Sequence, residues 1–542
     1  MKKAMEKTRN RKSGEMYKNA VQLIVVGIVT GVFSGAVVTI YNLLAKQGEA
    51  ISRDLYAYVR ENPAFLPLLF VALALGAFLL SVVVYLVPMA KGSGIPQTEG
   101  ATRGRLRFKW YRDAVAMFAA SLLSIFMGLS AGSEGPSLHI GAASGEGVAC
   151  ILKRNEMIRR YQVTGGACAG LAVAFNAPLT GMAFAFEEAH KRFTPEVFIC
   201  AFSSVIFALL TRGMLYNAFH LETTSFFHAY AFPQGTVQDW NFFLFLALSA
   251  IICALAGVLF YKTVFFFRRL MGKIQFKKPF FNTFARILIA VFLGGALSLI
   301  TVNVMGGGHE LIESLGTKGG TVESSVESVF SLSLVATLFI VCIFKFLITG
   351  VNMGSGIPCG AFIPMLAIGA CIGSLLNLAW VELGMDAAYC DFLVMICMAA
   401  FFTSIVKAPI TGIVMVCELT WSFSSLLPVI IGVSIGYFIG DLSRTDGIYE
   451  ELLEAYELES GIHKNEVREV YLVSVASNAI AEKREVRDIL WPAGAFVAEL
   501  KRGEEIILPD GDTVLQAGDE LKIICKTDKP EKVREELTHI LG

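Results

Sequence analysis

Four clusters of glycine and proline interrupt otherwise apolar sequence. They are Gly92-Ser-Gly-Ile-Pro96, Gly132-Ser-Glu-Gly-Pro136, Gly165-Gly166 leading into Phe175-Asn-Ala-Pro-Leu179, and Gly354-Ser-Gly-Ile-Pro-Cys-Gly-Ala-Phe-Ile-Pro364. Glycine lets the chain turn or approach another backbone closely, and a proline just behind it suits the first turn of a new helix, where its missing N–H is not needed. Each cluster therefore predicts a half-helix whose free N–H groups and positive dipole end form an anion site without a full cation. Kinking or close packing would explain one such cluster; four of one form favour half-helices. Glu134 stands at one of these N-termini. Its carboxylate can fill the anion position when ionised and vacate it when protonated, which makes a gate worked by one proton.

Few other ionisable groups survive in the apolar region: Glu146, Glu187, Glu188, Lys345, Lys407 and Glu418. Glu187 and Glu188 follow an apolar helix and precede Ala-His-Lys-Arg, so they belong near an aqueous mouth, where a carboxylate is tolerated and can relay protons. A serine hydrolase is a remote rival, with Ser93 or Ser355 as nucleophile and His139 or His190 as base. Gly-Ser-Gly alone is a weak signal and neither histidine lies in an orienting motif, so the seven histidines are read as loop and interface residues.

The elements that must hold these groups are membrane helices. Of 542 residues, 55% are hydrophobic and only 17% charged, with a mean hydropathy of +0.60, which excludes a water-soluble enzyme over most of the length. Residues 19–45, 63–90, 114–133, 161–186, 241–261, 287–308, 346–381 and 419–440 carry no charge, and shorter apolar runs lie near 197–211, 328–344 and 392–406. Ten or more membrane helices are expected. The chain also resembles itself. Asn176–Glu187 matches Lys407–Glu418 at an offset of 231, and Gly132, Pro136, Ile140 and Gly141 fall on Gly360, Pro364, Ile368 and Gly369 at 228. Two halves of about 200 residues follow, and repeats with broken helices characterise secondary transporters. Glu188 faces Leu419 rather than a repeat mate, which suggests structural roles for Glu187 and Glu418 and a special one for Glu188. The literal Gly-Ser-Gly-Ile-Pro repeat at 92 and 354 does not fit either offset and is read as coincidence.

The net charge of zero conceals two unlike parts. Residues 450–542 hold 21 acidic and 12 basic side chains, a net of −9, against +9 before them. Seven Lys/Arg in the first twenty residues, and further clusters at 103–112 and 153–160, mark the cytoplasmic side by the positive-inside rule. Both termini are placed there. The eleven scattered cysteines, with no Cys-x-x-Cys, read as small buried hydrophobes.

The motifs at Gly92–Pro96, Gly132–Pro136 and Gly360–Pro364 resemble the signatures of the CLC chloride channel and transporter family, in order and spacing, over roughly residues 20–450. The resemblance implies that Ser93 and Tyr449, with the amides of Ala361 and Phe362, bind chloride. It further implies that Glu134 is the external gate and Glu188 the internal proton-transfer group of the exchanger branch. The serine argues against the fluoride-exporting branch. A homodimer with one pathway per subunit in the plasma membrane is expected, with chloride and protons as its cargo and no enzymatic activity, metal or nucleic-acid partner. Ser133 departs from the family pattern, which has a basic residue there, and its loss is expected to lower the outer-mouth potential and so the apparent anion affinity.

From about Glu466 the texture changes to strands at 470–475, 496–500 and 520–525, helices at 479–490 and 531–541, and a turn at Pro509–Asp512. This stretch resembles the TrkA-C subdomain of potassium-transport regulators rather than paired CBS domains. Such domains commonly dimerise and bind a small ligand, in some bacterial relatives cyclic di-AMP. Arg484, Arg487, Lys501 and Arg502, with Ile489, Phe496 and Val497, are the candidate pocket. The fold class expected is an all-α polytopic membrane protein with an internal two-fold repeat and broken helices, plus a small cytoplasmic α+β domain. Its segments are 1–20 N-terminal, 21–450 transmembrane, 451–465 linker and 466–542 regulatory.

Overall fold

A computed structural model describes residues 2–189, 194–221, 230, 240–317, 326, 328–329, 332–420, 426–460, 467–503, 505–527 and 530–542. Uncharged runs become helices because a lipid interior offers backbone N–H and C=O groups no other partners. The first half contains α1 (Lys2–Glu61), α2 (Leu66–Leu86), α3 (Ile95–Thr102), α4 (Trp110–Phe126), α5 (Glu134–Ile151), α6 (Glu156–Phe175), α7 (Pro178–Phe184) and α8 (Pro195–Ala218). The second contains α9 (Trp240–Gly272), α10 (Pro279–Ile300), α11 (His309–Ser314), α12 (Leu334–Ser355), α13 (Phe362–Glu382), α14 (Cys390–Val406), α15 (Pro409–Thr420), α16 (Leu426–Leu442) and α17 (Ile448–Ser460). Among the described residues eight helices are long and apolar enough to cross a membrane. Helix α17 occupies the first ten residues of the stretch read as a linker.

All four clusters hold a helix break, though not every glycine in them makes it. Gly94 caps α3 in the left-handed region (φ 81°), α5 starts at Glu134, and the 354–364 cluster ends α12 at Gly356 (φ 81°) and starts α13 at Phe362. Asn176 and its repeat mate Lys407 are both left-handed (φ 54° and 64°), each ending one helix just before a proline starts the next. Gly165 and Gly166 do otherwise. They lie within the continuous helix α6, where a methyl on Gly166 would overlap the Gly141 carbonyl, so this pair brings α5 and α6 together while the break comes at Asn176.

The repeat has a visible axis. Gly132 and Gly360, 228 residues apart, exchange two backbone hydrogen bonds of 2.8 Å as an antiparallel bridge. A backbone paired with its own repeat mate places a local two-fold axis between them, with the chains running oppositely. Two carboxylates obey the same symmetry at offset 231. Glu187 accepts from the Ile410 and Thr411 amides (2.8 and 2.6 Å) at the start of α15, and Glu418 accepts from those of Leu179 and Thr180 (2.8 and 2.7 Å) at the start of α7. Each half thus caps a helix of the other. The 92 and 354 segments meet in space, Gly92 N–H donating to the Gly356 carbonyl (3.0 Å), although one begins a helix and the other ends one.

The tail is an antiparallel sheet of β1 (Val467–Ser474), β2 (Ala495–Arg502), β3 (Glu505–Ile507) and β4 (Glu520–Thr527), in the order β1-β4-β2-β3, with α18 (Pro530–Leu541) on one face. Leu521, Ile523, Val497 and Leu500 meet Val533, Leu537 and Ile540 in its core. The helix expected over 479–490 does not form. Asn478 and Lys483 are left-handed, and Lys483, Val486 and Arg487 donate backbone hydrogen bonds to Leu515, Thr513 and Gly511 instead of along a helix. All eleven cysteines are free and ten are buried.

Candidate functional site

The N-terminal ends of α3, α5 and α13 converge beside the Gly132–Gly360 bridge, and α17 brings Tyr449 to them. A methyl on Gly135 would overlap the Ser93 carbonyl and come within 3.3 Å of Gly360 Cα, so only glycine allows this approach. Ser93, Glu134, Ala361, Phe362 and Tyr449 are all buried. Phe362 is fixed between Phe175 and Phe402, with ring centroids 5.1 and 4.6 Å away. Its amide and that of Ile363 belong to the first turn of α13, where no intrahelical acceptor exists.

Three polar atoms here are buried without a hydrogen-bond partner: Ser93 Oγ, Tyr449 OH and Glu134 Oε2. Buried hydroxyls normally find partners, because an unmade bond costs about 1–3 kcal/mol. Two donors left open beside helix N-termini suit a small anion that strips its water there. Glu134 is held through its other oxygen. Its Oε1 accepts from Ser133 Oγ (3.4 Å) and lies 3.3 Å from His309 Nε2.

Glu188 is buried in a π-helical turn over Ala185–Ala189. Arg103 Nη2 donates to its carbonyl (3.1 Å) and reaches Glu99 (3.8 Å), while Arg103 Nη1 reaches Glu450 (3.5 Å). Helix α17, which carries Tyr449, packs against α3, and α3 packs against the turn that carries Glu188. The pathway candidates of the membrane domain therefore form one connected region. Below Ser93 an open pocket is lined by Lys91, Gln97, Arg268 and Tyr456. Glu459 spans its two cations, 2.5 Å from Lys91 Nζ and 2.7 Å from Arg268 Nη2.

Sequence reasoning missed Glu99 and His309. Glu99 is buried three residues after the Gly92–Pro96 motif, and that position was its available signal. His309 is not a plain loop residue but touches the Glu134 carboxylate, and His139 is fully buried, its Nδ1 3.3 Å from the Gly94 carbonyl and its ring edge-on to Phe108. The hydrolase constellation is absent among the described residues. Ser93 Oγ has no base, and Ser355 Oγ donates to the Asn352 carbonyl (2.9 Å). His190 lies outside the described residues.

The tail candidates divide. Ile489 and Val497 belong to the tail core, and Phe496 is exposed on the other face of its strand. Arg484 pairs with Glu196 of the membrane domain, Arg487 with Glu485 and Asp512, Lys501 with Glu520 (3.7 Å), and Arg502 with Asp519 (2.8 Å). Every cation of that set faces a carboxylate.

Half-helices meeting at a two-fold axis inside a bundle of apolar helices define an ion-translocating membrane fold. Residues 75–441 match the voltage-gated chloride channel family and residues 470–538 the TrkA-C domain. The chain belongs to the voltage-gated chloride channel family and is a multi-pass membrane protein carrying a C-terminal TrkA-C domain. It is 30% identical over 456 residues to a "H(+)/Cl(-) exchange transporter ClcA" of Vibrio cholerae serotype O1, covering 80% of this chain and 90% of the relative. A protein of that name from Yersinia pestis is 30% identical over 383 residues, covering 67% and 73%. Among solved structures, a slow cyanobacterial Cl−/H+ antiporter aligns with a TM-score of 0.69 at 23% identity, covering 81% of this chain and 99% of its own. A CLC-type fluoride/proton antiporter aligns at 0.61 and 21%, covering 79% and 97%.

Proposed function

We propose that this protein exchanges chloride for protons. The observation that carries the reading is the set of unpartnered buried groups, Ser93 Oγ, Tyr449 OH and Glu134 Oε2, gathered where α3, α5 and α13 begin. Chloride accepts from Ser93, Tyr449 and the amides of Ala361 and Phe362. Glu134 competes for that position when ionised and carries a proton when it withdraws, and Glu188 hands protons to the inner side. The exchanger names of the Vibrio and Yersinia relatives support the reading. A passive chloride channel is the alternative, and the buried Glu188 favours the exchanger, since a channel has no use for a second proton carrier. Reversal potentials of reconstituted protein under combined chloride and pH gradients separate the two. An exchanger's potential shifts with both gradients; a potential that follows chloride alone overturns the proposal.

The protein acts as a homodimer in the plasma membrane, with both termini in the cytoplasm and one pathway per subunit. Its tail regulates transport by binding cyclic di-AMP, or a similar nucleotide, across a tail dimer. Val470, Ile524 and Phe496 lie in one register across β1, β4 and β2, and the exposed Val470, Phe496 and nearby Leu472 give that sheet face an apolar surface suited to a second copy. Arg484, Arg487, Lys501 and Arg502 then exchange their present carboxylate partners for phosphate. Calorimetry on the full-length dimer with cyclic di-AMP is the test. Saturable binding supports the role, and no heat from a demonstrably dimeric sample reduces the tail to an assembly domain.

A further inference from the structure

We propose that His309 is the outer proton-exchange partner of Glu134. This rests on the reading of Glu134 as the gate. The contact joins residues 175 apart in sequence, His309 Nε2 to Glu134 Oε1 at 3.3 Å, and the imidazole is 30% exposed while the carboxylate is 1% exposed. A half-open histidine touching a buried carboxylate bridges outer water and the gate.

The position is built. Gly306 pairs with the segment leading to the gate, its N–H donating to the Leu129 carbonyl (2.9 Å) and its carbonyl accepting from Ala131 (3.1 Å). Lys345 Nζ, fully buried, donates to the carbonyls of Val304, Met305 and Gly306 (3.1, 3.1 and 2.9 Å). Gly308 adopts φ 98°, with a methyl there approaching Ala367 Cβ at 2.8 Å, and so turns the chain into α11 with His309 facing α5. Clamping a loop with a buried lysine is costly unless its position matters.

Besides Glu134 of α5, titratable groups on other elements lie around His309. On α1, Arg53 pairs with Glu49 (3.4 Å) and with Glu310, the residue after His309. Lys345 of α12 is held by the three carbonyls, and Glu313 lies one turn further along α11. Helix α13, packed against α11, has no charged side chain before Glu382, and the nearby Asp391 accepts from the Thr317 amide (2.7 Å). Tyr230 donates its hydroxyl to the Ile312 carbonyl (2.8 Å).

In the step, the Nε2–H bond of the imidazolium breaks and an O–H bond forms on Glu134 Oε1. Neutral histidine and neutral glutamic acid remain, and outer water reprotonates the imidazole. The relay draws its protons from outer water, so it imprints outer pH on the exchange rate.

The test compares wild type, His309→Gln, Glu134→Gln and the double variant in proteoliposomes while only the outer pH is varied. His309→Gln is expected to slow coupled proton flux about tenfold, at the low end for a lost proton donor, and to flatten the outer-pH profile. Outer imidazole is expected to restore the rate of His309→Ala. Anion flux in Glu134→Gln is expected to be the same with or without His309→Gln, because no proton then has to arrive. An unchanged outer-pH profile in His309→Gln, or an equal further slowing of the Glu134→Gln background, overturns the relay and leaves the gate standing. Coupled proton movement persisting in Glu134→Gln overturns the gate itself.

Discussion

Glu134 lies between two sets of polar groups: the unpartnered hydroxyls of Ser93 and Tyr449, and the imidazole of His309. An amide has the size of the carboxylate without its charge, so Glu134→Gln imitates the protonated, withdrawn gate. It is expected to leave chloride flux intact or faster and to abolish coupled proton movement, both read in proteoliposomes. Glu188→Gln is expected to leave chloride moving without protons, since the anion does not use the inner carboxylate; loss of both fluxes in a folded protein would give Glu188 a structural role. Ser93→Pro removes one open donor and is expected to shift preference from chloride toward nitrate, whereas unchanged selectivity would mean that Ser93 does not touch the ion. Ser93, Glu134 and Glu188 were legible because each lies in or beside a local cluster. His309 was not, because its partner is far away in sequence and no local pattern distinguishes a gate histidine from a loop histidine.

At the level of elements, the reciprocal caps of Glu187 and Glu418 tie the two halves of the chain to each other. Removing the Glu418 carboxylate orphans the Leu179 and Thr180 amides and the Thr180 hydroxyl. Glu418→Ala is expected to cost about 1–3 kcal/mol, the usual penalty for buried donors left unpaired, seen as a lowered thermal midpoint of the detergent-solubilised protein. An unchanged midpoint would mean that water replaces the cap. Glu459, one residue before α17 ends, neutralises Lys91 and Arg268 at the inner pocket. Glu459→Gln is expected to speed anion entry from that side a few-fold at low salt and to lose the advantage at high salt, where screening removes the attraction. Half-helix starts were readable because glycine and proline act on their own neighbours. The place of the break within the Gly165–Leu179 cluster and the form of the 479–490 segment were not readable, because they are decided elsewhere, by the Gly141 backbone in one case and by the 511–515 strip in the other.

Across the whole molecule the tail sits against the membrane domain at the end of α5 opposite the gate, a separation of about 27 Å along its 18 residues. Arg484 meets Glu196, Arg160 donates to the Trp491 carbonyl (3.3 Å), Asn155 Nδ2 donates to His539 (2.6 Å), and Lys532 pairs with Glu156 (3.2 Å). Burial alone would raise the Glu156 carboxyl, but its bond to Arg159 and the charges of Arg159 and Lys532 outweigh that and hold it down at about 2. A depressed folded value means the contribution is complete above the ordinary 4.5 and is lost as pH falls toward 2. Tail docking is therefore expected to weaken over that window, measured as faster proteolysis between the domains. Glu196→Arg is expected to loosen the tail at neutral pH and Arg484→Glu to restore it when combined; no restoration would mean the pair does not bear on docking. The repeat, the broken helices and the two-part chain were all written in composition and spacing, but this interface was not, because it joins charges hundreds of residues apart that look like ordinary surface residues. The account as a whole stands on coupling. Simultaneous recording of chloride and protons from wild-type proteoliposomes tests it most directly: an imposed chloride gradient is expected to drive protons uphill in the opposite direction, and a chloride gradient that dissipates with no proton movement would contradict it.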